Sequence, residues 1–258
     1  MVESDGFVDT HVHILPGVDD GPTDDESLLD MLRVAHQGGT RILVATPHMF
    51  VEPYNNMDLI AINDAYARTV HRLRNLAQNG DASFVSELVI LIGSENYLSF
   101  PFLEAVQDGR VLTLNGSRYL LVEFPLLSDP NYFSGILEEI IDHDLVPIIA
   151  HPERNVVVQE HPQVVQKLVD LGSYCQVDAA SVLGRWGKTA QKTGIHLLRE
   201  GTAHLIASDG HRADYRRPRL DGAFDYLSRI FPRNSVHAWF HSNPRKIVEN
   251  APVLNSDT

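Results

Sequence analysis

The chain has 258 residues, 43% hydrophobic and 21% charged, which suits one large soluble globular domain. Its formal net charge of −13 argues against binding a nucleic-acid backbone, and no apolar run reaches the roughly 20 residues that span a bilayer. The single cysteine rules out an internal disulfide framework and fits a reducing cytoplasm; the short acidic start Met1–Gly6 lacks the basic and apolar regions of a secretory signal.

Seven apolar, β-branched runs are expected as strands. The first, Phe7–Thr10, runs into His11-Val12-His13. Residues two apart on a strand project to one side, so His11 and His13 can hold one ion together. Asp19-Asp20-Gly21-Pro22 reads as a turn. A helix is expected over Asp25–His36, with Leu28, Leu29, Leu32, Val34 and Ala35 as its apolar positions. Asp24, Asp25 and Glu26 stand at the positive end of its dipole. The second strand, Arg41–Thr46, leads to His48, and Pro53–Asn56 reads as a loop. A longer helix, Leu59–Leu76, ends before a C-cap at Asn79-Gly80.

The third strand, Val89–Gly93, leads to Glu95, and the fourth, Tyr119–Phe124, carries Glu123. After a helix at Ile136–Asp142, the fifth, Val146–Ala150, meets His151. After Pro162–Leu171, the sixth, Tyr174–Val177, meets Asp178. After Lys188–Arg199, the seventh, His204–Ser208, meets Asp209-Gly210-His211. A loop at Arg212–Pro218, a helix at Asp221–Ile230 and a loosely ordered tail at Leu254–Thr258 complete the chain.

Strands alternating with helices imply βαβ units and a largely parallel sheet. Metal-type ligands at nearly every C-terminal strand end suit the mouth of a closed or nearly closed α/β barrel. A doubly wound sheet would collect ligands only at a switch point, and no Gly-x-Gly-x-x-Gly follows a strand.

Taken singly, these residues say little. His48 or His151 can be a satisfied polar residue, and Glu123 can simply start a loop. Jointly, His with Asp and Glu and no thiolate suits Zn, Mn or Fe rather than a Cys-rich structural site. A carboxylate such as Glu95 can bridge two ions roughly 3.5–4 Å apart, as in hydrolytic clusters. His36, His71, His143, His161 and His196 lie on helical or loop stretches and receive no role. A thiol phosphatase needs Cys-x5-Arg, but Ser181 stands at that distance from Cys175, which reads as a core residue.

The run Asp9-Thr-His-Val-His-Ile-Leu-Pro-Gly-Val-Asp-Asp-Gly-Pro22 resembles the opening of the polymerase and histidinol phosphatase (PHP) superfamily. More narrowly, it resembles the bacterial metal-dependent protein-tyrosine phosphatases of capsule and exopolysaccharide systems. The likeness continues through Ala45-Thr-Pro-His48, Gly93-Ser-Glu95, Leu112-Thr-Leu-Asn-Gly116 and Tyr119-Leu-Leu-Val-Glu-Phe-Pro125. It extends to Ile149-Ala-His-Pro-Glu-Arg-Asn155, Ala207-Ser-Asp-Gly-His211 and, more weakly, Asn243-Pro-Arg-Lys-Ile-Val-Glu-Asn250.

The resemblance implies an α/β fold, a distorted seven-stranded (βα)7 TIM-like barrel, with residues 1–258 as a single domain. It also implies three divalent metal ions (Mn, Fe or Zn). His11, His13, Glu95 and Asp209 would hold the first; Glu95 would bridge to a second, with Glu123 and His151; Asp20, His48 and His211 would hold the third. Four carboxylates against three divalent ions leave a positive centre, attractive to a phosphate dianion. Arg154 matches a phosphate-contacting arginine, and the second such arginine is Arg216 by offset or Arg217 by its neighbouring proline.

The implied activity is hydrolysis of phosphotyrosine in proteins by metal-activated water. The implied partner is a bacterial tyrosine kinase controlling polysaccharide synthesis or export, in the cytoplasm and without membrane insertion. The alternative is a small-molecule phosphomonoesterase such as histidinol phosphatase. A nuclease is disfavoured by charge, and a non-catalytic scaffold by the filled ligand positions. Two departures stand out: Gly210, where relatives often carry a larger residue, and Asp178, where they often have Thr. Asp178 reads either as a harmless loop acid or as a contact to the cluster.

Overall fold

The β-branched runs become short parallel strands, and every ladder between them is parallel. The structure is a computed structural model that describes residues 6–253 except Asn55, Asn79 and Asp81. The expected cap at Asn79, the N-terminal Met1–Asp5 and the tail Leu254–Thr258 lie outside the described residues.

In chain order the strands are β1 (Phe7–Val12), β2 (Thr40–Ala45), β3 (His48–Met49), β4 (Val89–Ile92) and β5 (Glu95–Tyr97). They continue as β6 (Tyr119–Glu123), β7 (Val146–Ala150), β8 (Tyr174–Asp178) and β9 (Leu205–Ala207). They form a three-stranded sheet, β1-β2-β4, and a six-stranded sheet, β3-β5-β6-β7-β8-β9.

The fold is therefore α/β with parallel sheets, but seven unbroken strands in one closed sheet are not what the described residues form. The expected strands Arg41–Thr46 and Val89–Gly93 form as β2 and β4, but each is followed after a short break by a strand that was not expected, β3 and β5. Pro47 has no N–H for a ladder, and it separates β2 from β3. Gly93 separates β4 from β5, where a Cβ would stand 2.7 Å from the Leu114 side chain. The two breaks lie side by side. Gly93 N donates to Ala45 O at 2.8 Å, Glu95 N donates to Pro47 O at 3.1 Å, and His48 stands opposite Glu95.

Neither sheet closes on itself, yet their free edges meet. Ser208 N donates to Asp9 Oδ1 at 3.0 Å. Asp209 N donates to His11 O at 2.9 Å, and His13 N to Gly210 O at 2.8 Å. Val12 and Gly210 form an isolated parallel bridge.

Helices cover the outside. The helix expected over Asp25–His36 spans Asp25–Gln37. A capping box starts it, with Ser27 N donating to Asp24 Oδ1 at 2.9 Å and Asp24 N to Ser27 Oγ at 3.2 Å. Helices at Leu59–Gln78, Ser134–Asp142, Val164–Asp170, Gly187–Arg199 and Asp221–Leu227 also match expectation within a few residues. Those at Phe100–Gln107, Val156–Glu160, Ala179–Val182, Arg233–His237 and Asn243–Val248 were not anticipated, because such short segments show little helical period. No helix among the described residues is long and apolar enough to cross a membrane.

The interior at the other end of the strands is apolar. Val8, Val44, Tyr119, Leu121, Ile148 and Leu205 pack there with Ile247 and Val248 of the last helix. Each such side chain contributes about 1.5–3 kcal/mol of burial. Tyr119 OH donates to Ala251 O at 2.8 Å and Tyr174 OH to Val253 O at 2.9 Å, which pins the C-terminal segment across that end. The C-terminal ends of the strands are left to carry the polar cluster.

Candidate metal centre

Alternation along β1 brings His11 and His13 to one side, with their Nε2 atoms 3.2 Å apart. Glu95 Oε2 lies 3.3 Å from His11 Nε2 and 3.4 Å from His13 Nε2. Asp209 Oδ1 lies 3.4 and 3.5 Å from the same two nitrogens. Glu95 Oε2 and Asp209 Oδ1 are buried without hydrogen-bond partners.

Glu95 also meets two histidines outside this group. His48 Nδ1 approaches its Oε2 at 3.0 Å, and His151 Nε2 approaches its Oε1 at 3.0 Å. Glu123 Oε1 lies 3.8 Å from His151 Nε2. On the open side, Asp20 Oδ1 is 3.2 Å from His211 Nε2 and 3.6 Å from His48 Nε2. The His211 ring stacks on that of His13 at 3.8 Å.

Three sets of potential ligands result, each with its donor atoms within 4.8 Å of one another. They are His11, His13, Glu95 and Asp209; His48, Glu95 and Glu123; and His13, Asp20, His48 and His211. All nine metal-type residues singled out in the sequence thus come together. The grouping is less tidy than expected: His13 and His48 each belong to two sets, while His151 touches Glu95 and Glu123 from outside them.

Unpartnered carboxylate oxygens and imidazole nitrogens at this density fit metal ions. Glu95 Oε2, Asp209 Oδ1 and His211 Nε2 are all buried without a hydrogen bond. The rings are also pre-oriented. His13 Nδ1 donates to Asp19 Oδ2 at 2.7 Å, His11 Nδ1 to Gln176 Oε1 at 2.8 Å, and His211 Nδ1 to the Asp209 carbonyl at 2.9 Å. Each bond leaves Nε2 for an ion, the usual outer support of a metal-ligating histidine.

The cluster's protons are displaced from ordinary values. Burial opposes charge on His11, but the Glu95 and Asp209 carboxylates outweigh it and raise its pKa to about 9. Burial, and then the neighbouring Glu95 carboxylate, pushes Glu123 up to about 8. Burial, and then Arg154, lowers His151 to about 4. Groups of like sign are crowded here, and divalent ions would take over the charge balance that protons supply.

Two guanidiniums border the cluster. Arg154 Nη1 and Arg216 Nη2 both donate to Asp209 Oδ2 at 2.7 Å. Their Cζ atoms lie 4.4 and 5.6 Å from the Trp186 ring centroid. Trp186 Nε1 donates to Asp178 Oδ2 at 2.6 Å, and Ala180 N to Asp178 Oδ1 at 2.7 Å. Asp178 is thus no free loop acid: it is buried and fixes the indole. Burial, and then Asp209, raises its pKa to about 6. Arg217 turns elsewhere, lining a separate cavity with Arg185 and Arg219.

The backbone is strained where these groups are presented. His151, Asp209 and Arg216 hold φ of 31°, 49° and 52°. Such positions cost about 1–3 kcal/mol each in a non-glycine residue. Gly210 has a different reason: a Cβ there would lie 2.7 Å from Pro218 Cα, so glycine lets the Arg216 loop pass against the strand end. Cys175 is fully buried in β8, and burial pushes its thiol up.

A family model for capsular polysaccharide synthesis, CpsB/CapC, matches residues 7–249. This chain belongs to the CpsB/CapC family. Tyrosine-protein phosphatase CpsB of Streptococcus pneumoniae is 30% identical over 251 residues, covering 94% of this chain and 98% of the relative. Tyrosine-protein phosphatase YwqE of Bacillus subtilis (strain 168) is 29% identical over 251 residues, covering 96% and 91%. A crystal structure from the work on YwqE of B. subtilis and CpsB of S. pneumoniae, described as unique metal-dependent tyrosine phosphatases, superposes with a TM-score of 0.86. Identity there is 28%, over 96% of this chain and 97% of the other.

In this CpsB/CapC chain, sequence reasoning missed the supporting groups. Asp19 read only as part of a turn, Gln176 only as part of a strand, and Trp186 received no reading. The Asp19-Asp20 pair was the one available signal, since two adjacent acids beside a His-x-His can divide between ring support and ligation.

Proposed function

We propose that this chain is a metal-dependent protein-tyrosine phosphatase. The observation that carries the reading is the convergence of three donor sets that share Glu95, His13 and His48 with two guanidiniums at one edge. The named activity of the family's relatives over nearly the whole chain supports the phosphotyrosine class.

Three divalent ions, of Mn, Fe or Zn, match the three sets. His11, His13, Glu95 and Asp209 hold the first. Glu95, Glu123 and His151 hold the second, with His48 beside them. Asp20, His48 and His211 hold the third. When bound, such ions supply activated water and charge neutralisation for in-line phosphoryl transfer.

The chain's own residues do the rest. Arg154 and Arg216 grip phosphate oxygens, and we assign the second arginine to Arg216 rather than Arg217 because it shares Asp209 Oδ2 with Arg154. Trp186 holds both guanidinium planes. Asp19 and Gln176 hold the His13 and His11 rings. A phenolate leaves more easily than an alkoxide, so a tyrosine phosphate needs less help from a general acid. The substrate is a bacterial tyrosine kinase of polysaccharide export, acting in the cytoplasm, a compartment in keeping with a single free thiol. Residues 1–258 act as one domain, and the contacts between β1 and the end of β9 support a distorted seven-stranded barrel.

The test is a pair of initial rates with metal-supplemented protein, one on a phosphotyrosine peptide and one on histidinol phosphate. Faster turnover of the peptide is expected. A large preference for histidinol phosphate would replace this reading with a small-molecule phosphatase.

A further inference from the structure

A second basic site lies directly behind the guanidinium pair. Arg185, Arg217 and Arg219 line a cavity of about 210 Å³ with Ala180, Leu183 and Asp221. Arg219 is committed to Asp221, its Nε donating to Oδ1 at 2.7 Å and its Nη2 to Oδ2. Arg185 and Arg217 have no carboxylate partner among the described residues, and Arg217 Nε is buried without a hydrogen bond. In a chain of net charge −13, two uncompensated guanidiniums in one concavity are a local reversal of sign.

Chain continuity ties this cavity to the metal centre. Arg185 precedes Trp186, and Arg217 follows Arg216. Trp186 and Arg216 meet at the edge of the cluster, while their neighbours line the cavity. Consecutive Cα atoms are about 3.8 Å apart, so one thin wall serves both sites. Ala180 belongs to that wall too, through its N–H bond to Asp178, the residue that fixes Trp186.

We propose that the cavity binds a second oxyanion of the substrate peptide, a further phosphotyrosine or an acidic side chain, while the first phosphotyrosine occupies the metal centre. The proposal rests on the tyrosine-phosphatase reading. Arginine forks suit both phosphate and carboxylate, and phosphate gains more from two of them.

The experiment uses the full metal-loaded chain and peptides that differ only at one added tyrosine: unmodified, phosphorylated, or replaced by glutamate, at graded spacings from the first phosphotyrosine. The second phosphoryl group is expected to lower KM about tenfold without raising kcat, as a charge-assisted hydrogen bond predicts. Glutamate in place of that group reports whether a carboxylate suffices. Arg185 is exposed, so Arg185→Ala should fold, should abolish the preference and should leave hydrolysis of free phosphotyrosine unchanged. Calorimetry with non-hydrolysable phosphonate versions of the peptides gives the same comparison as binding. Equal KM and equal affinity for all peptides, or a preference that survives Arg185→Ala, overturns the proposal. Absence of phosphotyrosine turnover alongside histidinol phosphate hydrolysis would instead remove the underlying reading, and the calorimetric comparison would still decide the cavity.

Discussion

Arg154 and Arg216 share one acceptor, Asp209 Oδ2, each at 2.7 Å. The other oxygen of that carboxylate, Oδ1, faces His11 and His13. One aspartate thus sets the distance between the guanidinium pair and the ligand cluster. Arg154→Ala is expected to lower kcat by about 100-fold, the scale for losing one donor aimed at developing charge. Metal content by elemental analysis should stay unchanged, and a collapse in occupancy would make Arg154 a support for the ligands instead. Arg154→Lys should recover little, because a point charge cannot replace the planar fork.

Asp19 braces the His13 ring and the backbone of His48. Its Oδ2 accepts from His13 Nδ1 at 2.7 Å and from His48 N at 3.0 Å. Asp19→Asn should weaken metal affinity by about 10–100-fold, the usual scale for a lost outer partner of a ligating histidine. Metal titration measures this, and unaltered affinity would reduce Asp19 to a turn residue.

Trp186 combines two roles that can be separated. Trp186→Phe keeps a ring beneath Arg154 and Arg216 but leaves Asp178 Oδ2 without its indole donor. Loss of about 1–3 kcal/mol in urea unfolding is expected, with kcat reduced less than in Arg154→Ala. Trp186→Ala removes the ring as well and should lower kcat further.

Chelation and thiol chemistry give opposite results. Dialysis against a chelator should abolish turnover, and divalent metal should restore it. Cys175 is fully buried with its thiol pushed up, so iodoacetamide should leave the folded protein active. Cys175→Ser should retain most activity. A strong loss in that variant would contradict the metal mechanism.

His204 makes stability depend on pH. Its Nδ1 accepts from Cys175 N at 3.2 Å, and burial lowers its pKa from 6.5 to about 4. Below pH 6.5 the unfolded chain takes up a proton that the folded chain refuses, so stability falls as pH drops toward 4 and the loss is complete below that. Between pH 7 and pH 5 the loss from this group is about 2 kcal/mol. His204→Asn can keep an acceptor for Cys175 N and should flatten that part of a thermal-unfolding profile.

Much of the centre was legible because its metal-type residues, Asp20 excepted, lie at or just past the end of an apolar run, while Asp20 sits in a turn and came from the family resemblance alone. A buried strand that stops on His, Glu or Asp announces a polar group at a barrel-like mouth. What stayed hidden depends on directions that one-dimensional order does not carry. Asp19 and Asp20 are adjacent, yet one lies against the His13 ring and the other faces His211. Arg216 and Arg217 are adjacent as well, and the left-handed turn at Arg216 separates them, sending one to Asp209 and the other to the neighbouring cavity. Gln176 is a neutral residue within a strand, and only contact with His11 gives it a function. Pro47 and Gly93 mark where the expected strands stop, but the short strands that resume at His48 and Glu95 are only two and three residues long, too short for a period of two to show.

Those breaks have a genetic consequence. The two strands snap at the same level and resume in step, so His48 and Glu95 emerge as neighbours. What keeps them together, given the proline and glycine at the breaks, is the number of residues on either side of the interruption. Substitutions at Thr46 or Ser94 would leave the counting intact, whereas deletion of a single codon from either stretch would slide the shared carboxylate away from its histidine. At Thr46 and Ser94 the count of codons matters more than their spelling.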